Sequence, residues 1–572
     1  MDEQSFMKAL FFGVIAEEVI FPFPRTPDPE RQRLHELFDK LHGVVSGHVD
    51  AAEIDRSGHI DTAIVDELRG LGLFGAGVPR EYGGLGLSFS GFSRIVQEVA
   101  AADASLGMLL TVHGATGLRG LILFGTDEQK EQYLPKLASG EMIAAFALTE
   151  RSSGADAGAI RTHAELDEEM GVYHLDGSKP WVSNGDIADL VTVFARTSRV
   201  DEGHKPRITS LLVERAHGAE TGSRRDTLGL RGLAITQLTF KDARVPADNV
   251  LGEPGKGYKV AMSVLNDARV VLAAAMVGQC RAIVNFTVHR LQKRRSFGRV
   301  IGEFPILKDK VARMMADTYA IESMTYLTAG LVDRQVEDYS LESAICRVAG
   351  SEALWRVVND AMQVAAGSGY LKTQPLERLL RDARAWFVLD GTNETLRCFI
   401  ALAGMQGPGK RLSNVESAMQ EPVKGFGLLR DFAVRKVREA LKRERVTMAH
   451  PLLAREAVMF EEATEQLGRA VDRALREHGK EIAEIQYTQM RIANIAMDLY
   501  ALAACLARTT QAIEQRGEAG ARREIDLTTM FATAAQGRIA SNLARLENND
   551  DELRKEIAAR TYTDGGYPFD VF

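Results

Sequence analysis

The chain has little of what marks a secreted, metal-bound or membrane-spanning protein. It carries four cysteines in 572 residues. Cys280, Cys346, Cys398 and Cys505 stand far apart with no C-x-x-C pair, which fits a reducing compartment and argues against a zinc or iron–sulfur site. No metal is expected. The first apolar run, Phe6 to Phe21, is interrupted by Lys8, Glu17 and Glu18 and is followed by no small-residue cleavage site. It reads as a docked amphipathic helix, neither a secretory signal nor a membrane span. Asp2 and Glu3 stand where an Arg-rich, acid-poor presequence would begin, so a cytoplasmic location is expected. The formal net charge of −8 comes from interspersed acids and bases and gives no reason to expect a nucleic-acid partner. There is no evident internal repeat and no low-complexity tract. A chain of this length can bury several cores without covalent staples.

What is present divides into four stretches. Residues 1–141 read as an N-terminal helical domain, in which Thr126-Asp-Glu-Gln129 is a capping box. Val78 to Gly86 (V-P-R-E-Y-G-G-L-G) has the glycines of a phosphate loop but no flanking strand or following G-K-[ST], so it is read as a turn. Residues 142–251 change to a period of two, with strands expected at Ala144–Leu148, Leu190–Thr197, Ile208–Glu214 and Ile235–Phe240. Residues 252–406 return to long helical segments, as in an up-down bundle, and Gly407–Gly409 (Gly-Pro-Gly) reads as a linker. Residues 411–572 read as an additional helical bundle.

One carboxylate has an unusual setting. The apolar run Trp386–Leu389 delivers Asp390 into an Asp-Gly-Thr turn, and an apolar helix start follows at Thr395. Taken alone, an Asp there fits a helix N-cap. Upstream, Phe146-Ala-Leu148-Thr149-Glu150-Arg-Ser-Ser153-Gly154-Ala-Asp156 is a strand ending in small hydroxylic residues, which can offer backbone N–H groups and short side chains to a polar ligand. Trp181, in Lys179-Pro-Trp-Val-Ser183-Asn-Gly, would by itself be ordinary core material.

In this order the stretches resemble the signatures of the acyl-CoA dehydrogenases, closest to the very-long-chain branch with its extra C-terminal helical domain. The resemblance implies a mainly α fold with a middle β-domain: an N-terminal helical bundle, a β-barrel-like domain, a C-terminal four-helix bundle and an additional bundle. It implies FAD as cofactor, held by Phe146, Leu148, Thr149, Ser153 and Gly154, with Trp181 as a flat face for the isoalloxazine and Ser183 as a hydroxyl near its N5. Arg294 and Phe297, in an R-x-x-F-G segment, and Gln363 and Gly367, in a Q-x-x-G-G-x-G-like turn, would reach the cofactor of a neighbouring subunit, implying a homodimer. Thr392 and Glu394 would touch the flavin and adenosine ends. Asp390 stands where the family has its catalytic Glu, with Gly391 beside it and Arg269 near the active site. Gly107 and Thr111 would open the acyl cavity, since a medium-chain relative carries a bulky amide and a carboxylate there.

The expected activity is α,β-dehydrogenation of a medium to very long chain acyl-CoA to trans-2-enoyl-CoA in fatty acid β-oxidation, with an electron-transfer flavoprotein as acceptor. Two other readings stay open at this point: a catalytically weak assembly or scaffold relative, and an Asp-based flavin oxidase of the nitroalkane oxidase type. The basic and apolar stripe within 415–448 is expected to contact a membrane surface peripherally. Three departures from the family pattern bear on activity. Ala268 offers no substitute carboxylate, Ala366 replaces a Gly, and Leu233 and Ile235 stand where hydroxyl residues are usual.

Overall fold

The computed structural model describes residues 5–197, 207–409 and 445–571. They form two compact units, one of Met1–Ser5 with Phe21–Leu396 and one of Phe6–Ile20 with Arg397–Phe572.

The middle of the first unit is a seven-stranded sheet ordered β1-β4-β2-β3-β7-β6, with β5 also on β4. Its strands are β1 Ala144–Ala147, β2 His163–Asp167, β3 Val172–Ser183, β4 Leu190–Arg196, β5 Ile208–Glu214, β6 Ala219–Thr221 and β7 Ile235–Pro246. The architecture turns on β4, whose run L-V-T-V-F-A is buried on both faces. Leu190 and Phe194 face a core shared with the helices, including Leu134, Leu137, Val260 and Val264. Val191, Val193 and Ala195 face a second core inside the β-domain with Leu175, Leu238 and Phe240. β1 pairs in parallel with the first half of β4 and β2 reaches its last residue, while β5 runs antiparallel along all of it.

The helices Gly257–Lys293, Pro305–Asp333 and Ser340–Ala365 form the bundle that carries Asp390, joined by Pro375–Ala385 and the first turn of Asn393–Gly409. Gly257–Lys293 also lies against Phe89–Ala102, and Gly278 makes that approach feasible. A Cβ on Gly278 would stand 2.0 Å from the Gln97 carbonyl oxygen. His113, fully buried in the widened turn Val112–Gly117, fixes the entry to β1. Its Nδ1 accepts from the Ala144 N–H at 3.0 Å and its Nε2 meets the Leu137 carbonyl at 3.1 Å. Burial pushes its pKa down to about 4, so it stays neutral and structural.

Several expectations change. Phe6–Phe21 is not one helix: Gly13, at φ 72°, separates Phe6–Leu10 from Glu17–Ile20. Nor does it belong to the N-terminal domain, because Phe6–Ile20 is part of the second unit, where Phe6 stacks on Phe460. The Gly-Pro-Gly stretch is no linker. Asn393–Gly409 runs through it as helix, and Pro408 sits in the last turn, where it removes only one backbone hydrogen bond. β2 and β6 escape the sequence reading because polar residues interrupt their alternation. The second unit is otherwise built from Ala454–His478, Gln486–Gly520, Arg522–Glu547 and Asp551–Asp564. Residues 415–444 of the stretch expected at a membrane lie outside the described residues.

Candidate active site

The Pro375–Ala385 helix unwinds at Trp386, which is fully buried, and the chain reverses through Asp390 and Gly391 before the next helix starts at Asn393. Both turn residues have positive φ, 57° for Asp390 and 92° for Gly391. Glycine suits such a position, whereas aspartate is there at a cost in backbone strain. The N-cap role belongs to Thr392, whose Oγ1 accepts from the Thr395 N–H at 3.3 Å. Asp390 caps nothing. Its side chain is 13% exposed, and its Oδ2 has no hydrogen-bond partner among the described residues.

What faces that carboxylate is positive charge. Arg269 Nε lies 3.6 Å from Asp390 Oδ2. Arg347, fully buried in Ser340–Ala365, donates through Nη2 to the Leu389 carbonyl and through Nη1 to Asn393 Oδ1 at 3.4 Å. Burial raises the Asp390 pKa above the ordinary carboxylate range, and Arg269 and Arg347 oppose that rise. Another buried acid, Asp382, is pushed up to about 7 by burial, but its Oδ1 accepts from the Leu230 N–H at 2.6 Å and holds that loop. Asp103 is likewise committed, capping Ala104–Thr111 through the Ser105 and Leu106 N–H groups. Asp390 differs from both in that it caps or holds no backbone N–H, and its Oδ2 is sealed from solvent with no hydrogen-bond partner among the described residues. Sequence reasoning missed Arg347, although the signal was present: it is the one charge in the run Ser343-Ala-Ile-Cys-Arg-Val-Ala-Gly350.

The end of β1 is locked to β3 by an ion pair that was also missed. Lys179 Nζ donates to Glu150 Oε1 at 2.8 Å and to the Leu148 carbonyl at 2.9 Å, and Glu150 accepts from the Arg161 and Thr162 N–H groups. One extra β3 residue between Lys179 and Val182 makes a bulge against β7, and Trp181 leaves the sheet there, 56% exposed. It is therefore an offered aromatic face and not core material. Ser183 ends the same strand, half-buried.

Other expected residues divide. Phe146 packs its ring on Phe194 at a centroid distance of 4.8 Å, Thr149 is half-buried, and Gly154 faces open space. Ser153 requires a correction: its N–H donates to the Glu150 carbonyl at 3.1 Å and its hydroxyl to that of Asp156, so both donors close the loop and neither is offered to a ligand. Gly107 requires another. A Cβ there would lie 2.5 Å from the Ala100 Cβ, so the residue permits close packing of two helix segments. A larger residue at this position would force those helices apart. Thr111 is buried with its hydroxyl bonded back to the Gly107 carbonyl at 2.8 Å.

Arg294, Phe297, Gln363, Gly367 and Glu394 stand exposed, and no hydrogen bond or ion pair among the described residues joins them to Asp390. Phe297, 94% exposed, tips a hairpin of Arg295–Ser296 and Arg299–Val300. Arg290 at the hairpin's base donates to the Ala365 carbonyl at 3.1 Å, which brings it beside the Gln363–Tyr370 turn. Ala366 in that turn adopts φ 50° and ψ −140°, a conformation for glycine. We predict that Ala366→Gly raises the thermal midpoint, since relief of about 1–3 kcal/mol of backbone strain exceeds the entropic cost of glycine, about 0.5–1 kcal/mol. A calorimetric midpoint equal to or below the native one would count against this.

Comparison with known proteins gives the same organisation. Residues 32–141, 145–243 and 255–405 match the N-terminal, middle and C-terminal domains of acyl-CoA dehydrogenase, and 451–567 match the ACAD9/ACADV C-terminal domain. The chain is 37% identical to the human mitochondrial very long-chain specific acyl-CoA dehydrogenase over 96% of its own length and 85% of that protein's. It is 29% identical to a probable acyl-CoA dehydrogenase of Bacillus subtilis over 96% of this chain and 93% of that one. Among solved structures, an acyl-CoA dehydrogenase from Bacillus anthracis complexed with FAD superposes with a TM-score of 0.80 at 27% identity, covering 98% of this chain and 96% of that one. With that identity to the human protein, and with four successive domain matches, the chain belongs to the acyl-CoA dehydrogenase family.

Proposed function

We propose that the protein is an FAD-dependent dehydrogenase of long-chain acyl-CoA thioesters, forming the trans-2-enoyl-CoA in fatty acid β-oxidation, with Asp390 as the base. The observation that carries this reading is the buried Asp390 Oδ2, without a hydrogen-bond partner among the described residues, in a turn faced by Arg269. The exposed Trp181 face, held beside the Leu148–Gly154 loop by Lys179, fits a flat cofactor ring, and FAD when bound supplies the acceptor for the substrate's β-hydrogen. Asp390 takes the α-proton, and its own backbone N–H can donate to the thioester carbonyl and so acidify that proton. Burial keeps water from the carboxylate, which makes it a stronger base toward a bound substrate.

The exposed Arg294–Phe297 hairpin and Gln363–Gly367 turn are proposed to meet a second copy of the chain in a homodimer. Electron-transfer flavoprotein is proposed as acceptor, and the segment 415–448 as a peripheral contact with the inner membrane surface of the cytoplasm.

A panel of acyl-CoAs of increasing length, added anaerobically, tests the reaction and the substrate class together. Bleaching of the flavin that is fastest with long chains is expected. Retained FAD with no bleaching by any acyl-CoA would overturn the assignment.

A further inference from the structure

Arg347 is a guanidinium in an improbable place. It is fully buried, no carboxylate is paired with it among the described residues, and its Nε lacks a hydrogen-bond partner there. Removing such a charge from water is costly, so its position needs a compensating role. Its two contacts bracket the turn that carries Asp390: Nη2 holds the carbonyl of the residue before it, and Nη1 reaches Asn393, three residues beyond. Asn393, 1% exposed, is itself fixed, donating through Nδ2 to Ser351 Oγ at 3.0 Å and to Glu352 Oε1 at 3.4 Å and accepting from Ser351 at 3.3 Å.

We infer that Arg347 is the positioning residue of this active site: its forked guanidinium clamps both ends of the strained Asp390 turn and sets a second positive charge, after Arg269, behind the carboxylate. The planar fork can hold two acceptors at once, which an ammonium on a flexible stem does less well. The strain argues the same way, since a non-glycine residue at φ 57° persists only where its surroundings over-determine it. The charges facing Asp390 are Arg269 from Gly257–Lys293 and Arg347 from Ser340–Ala365. Glu352 is the acid on the same helix, and it is directed to Asn393. The burial that lowers the Arg347 pKa, to about 10, leaves it cationic at neutral pH.

The inference rests on Asp390 as base, and its test separates the two claims. Arg347→Lys keeps the charge and loses the fork; Arg347→Gln keeps a donor and loses the charge. For both, the single-turnover rate of flavin bleaching at saturating acyl-CoA is followed against pH, together with the acyl-CoA concentration that gives half the maximal rate. Hydrogen exchange of the Trp386–Leu396 segment is measured alongside. Arg347→Lys is expected to lose about tenfold or more in the limiting rate, as a displaced base would, with the half-saturating concentration and the acid limb unmoved. Arg347→Gln is expected to shift the acid limb upward by about one pH unit, because an ionised Asp390 loses a favourable neighbour. Both should exchange faster over Trp386–Leu396 alone. A purely structural Arg347 would not move the acid limb. Arg347→Lys with a native limiting rate overturns the inference even where Arg347→Gln does not fold. A slow Asp390→Asn beside native-rate Arg347 variants removes this inference alone, whereas a native-rate Asp390→Asn removes the base assignment.

Discussion

Asp390→Asn is expected to cut flavin bleaching by acyl-CoA by about 10²–10⁴-fold, the range a general base contributes, while FAD content and acyl-CoA binding stay near native. The amide nearly matches the carboxylate in shape but cannot accept the α-proton. The native rate should also fall as pH drops through a value above the ordinary aspartate range, because burial raises that pKa and only the ionised form is a base. The Asn variant should show no such limb. Asp390→Glu should go the other way. Aspartate reaches about 1.5 Å less far than glutamate, one carbon–carbon bond, and about 1 Å of misplacement can cost roughly 10²-fold. Because Arg347 and Asn393 fix the turn around Asp390, the backbone has little freedom to make up that distance, so Asp390→Glu should bleach faster with straight-chain substrates. An Asn variant that bleaches at the native rate would exclude Asp390 as the base. A Glu variant no faster than the native protein would mean that the turn already sits closer to the substrate.

The parts of this site that were legible in the sequence were local ones. The Trp386–Leu389 run ending in Asp-Gly-Thr marks a turn whatever the rest of the chain does, and the run of β4, apolar but for Thr192, marks a segment buried on both faces. The environment of Asp390 and of the β1 end was not legible, because it is made by residues far apart in the chain. Arg347 lies 42 positions before the carbonyl it holds, and Lys179 lies 29 after Glu150. Gly107 shows a second limit. A small residue in an apolar helix marks either a cavity or a close approach, and only the placement of Ala100 decides between them. Phe6–Ile20 was assigned to the wrong unit for a similar reason: its apolar pattern says that it is buried but not against what.

The Lys179–Glu150 pair should be the most costly contact in the β-domain to break on one side. Both side chains are nearly sealed from solvent, at 0% and 6% exposure. Burial works against the charge of each. It pushes Lys179 down to about 8, while for Glu150 the upward push of burial is overcome by hydrogen bonds from Lys179 and Thr162, so its pKa ends below the usual value. Lys179→Met leaves Glu150 charged, buried and short of its cation, and such a loss typically costs about 3–5 kcal/mol. The Leu148 carbonyl loses its donor in the same step, so the loop that leads to Gly154 should loosen, and FAD content should fall along with thermal stability. Adding Glu150→Gln should restore at least half of the lost stability, because the amide oxygen can still accept from a backbone N–H while no unpaired charge remains. The native pair also sets a pH signature. Because the folded Lys179 pKa lies below its unfolded value of 10.5, the fold binds fewer protons than the unfolded chain between about pH 8 and 10.5, and this group's contribution to stability rises with pH across that window. Glu150 acts at the other end: its contribution is complete above the unfolded value of 4.5 and is lost as pH falls through the lower folded one. Calorimetric midpoints of the native, Lys179→Met and double variants, with the flavin-to-protein absorbance ratio of each, measure both effects. A Lys179→Met protein within about 1 kcal/mol of native stability and with full FAD would show that the loop does not depend on the pair.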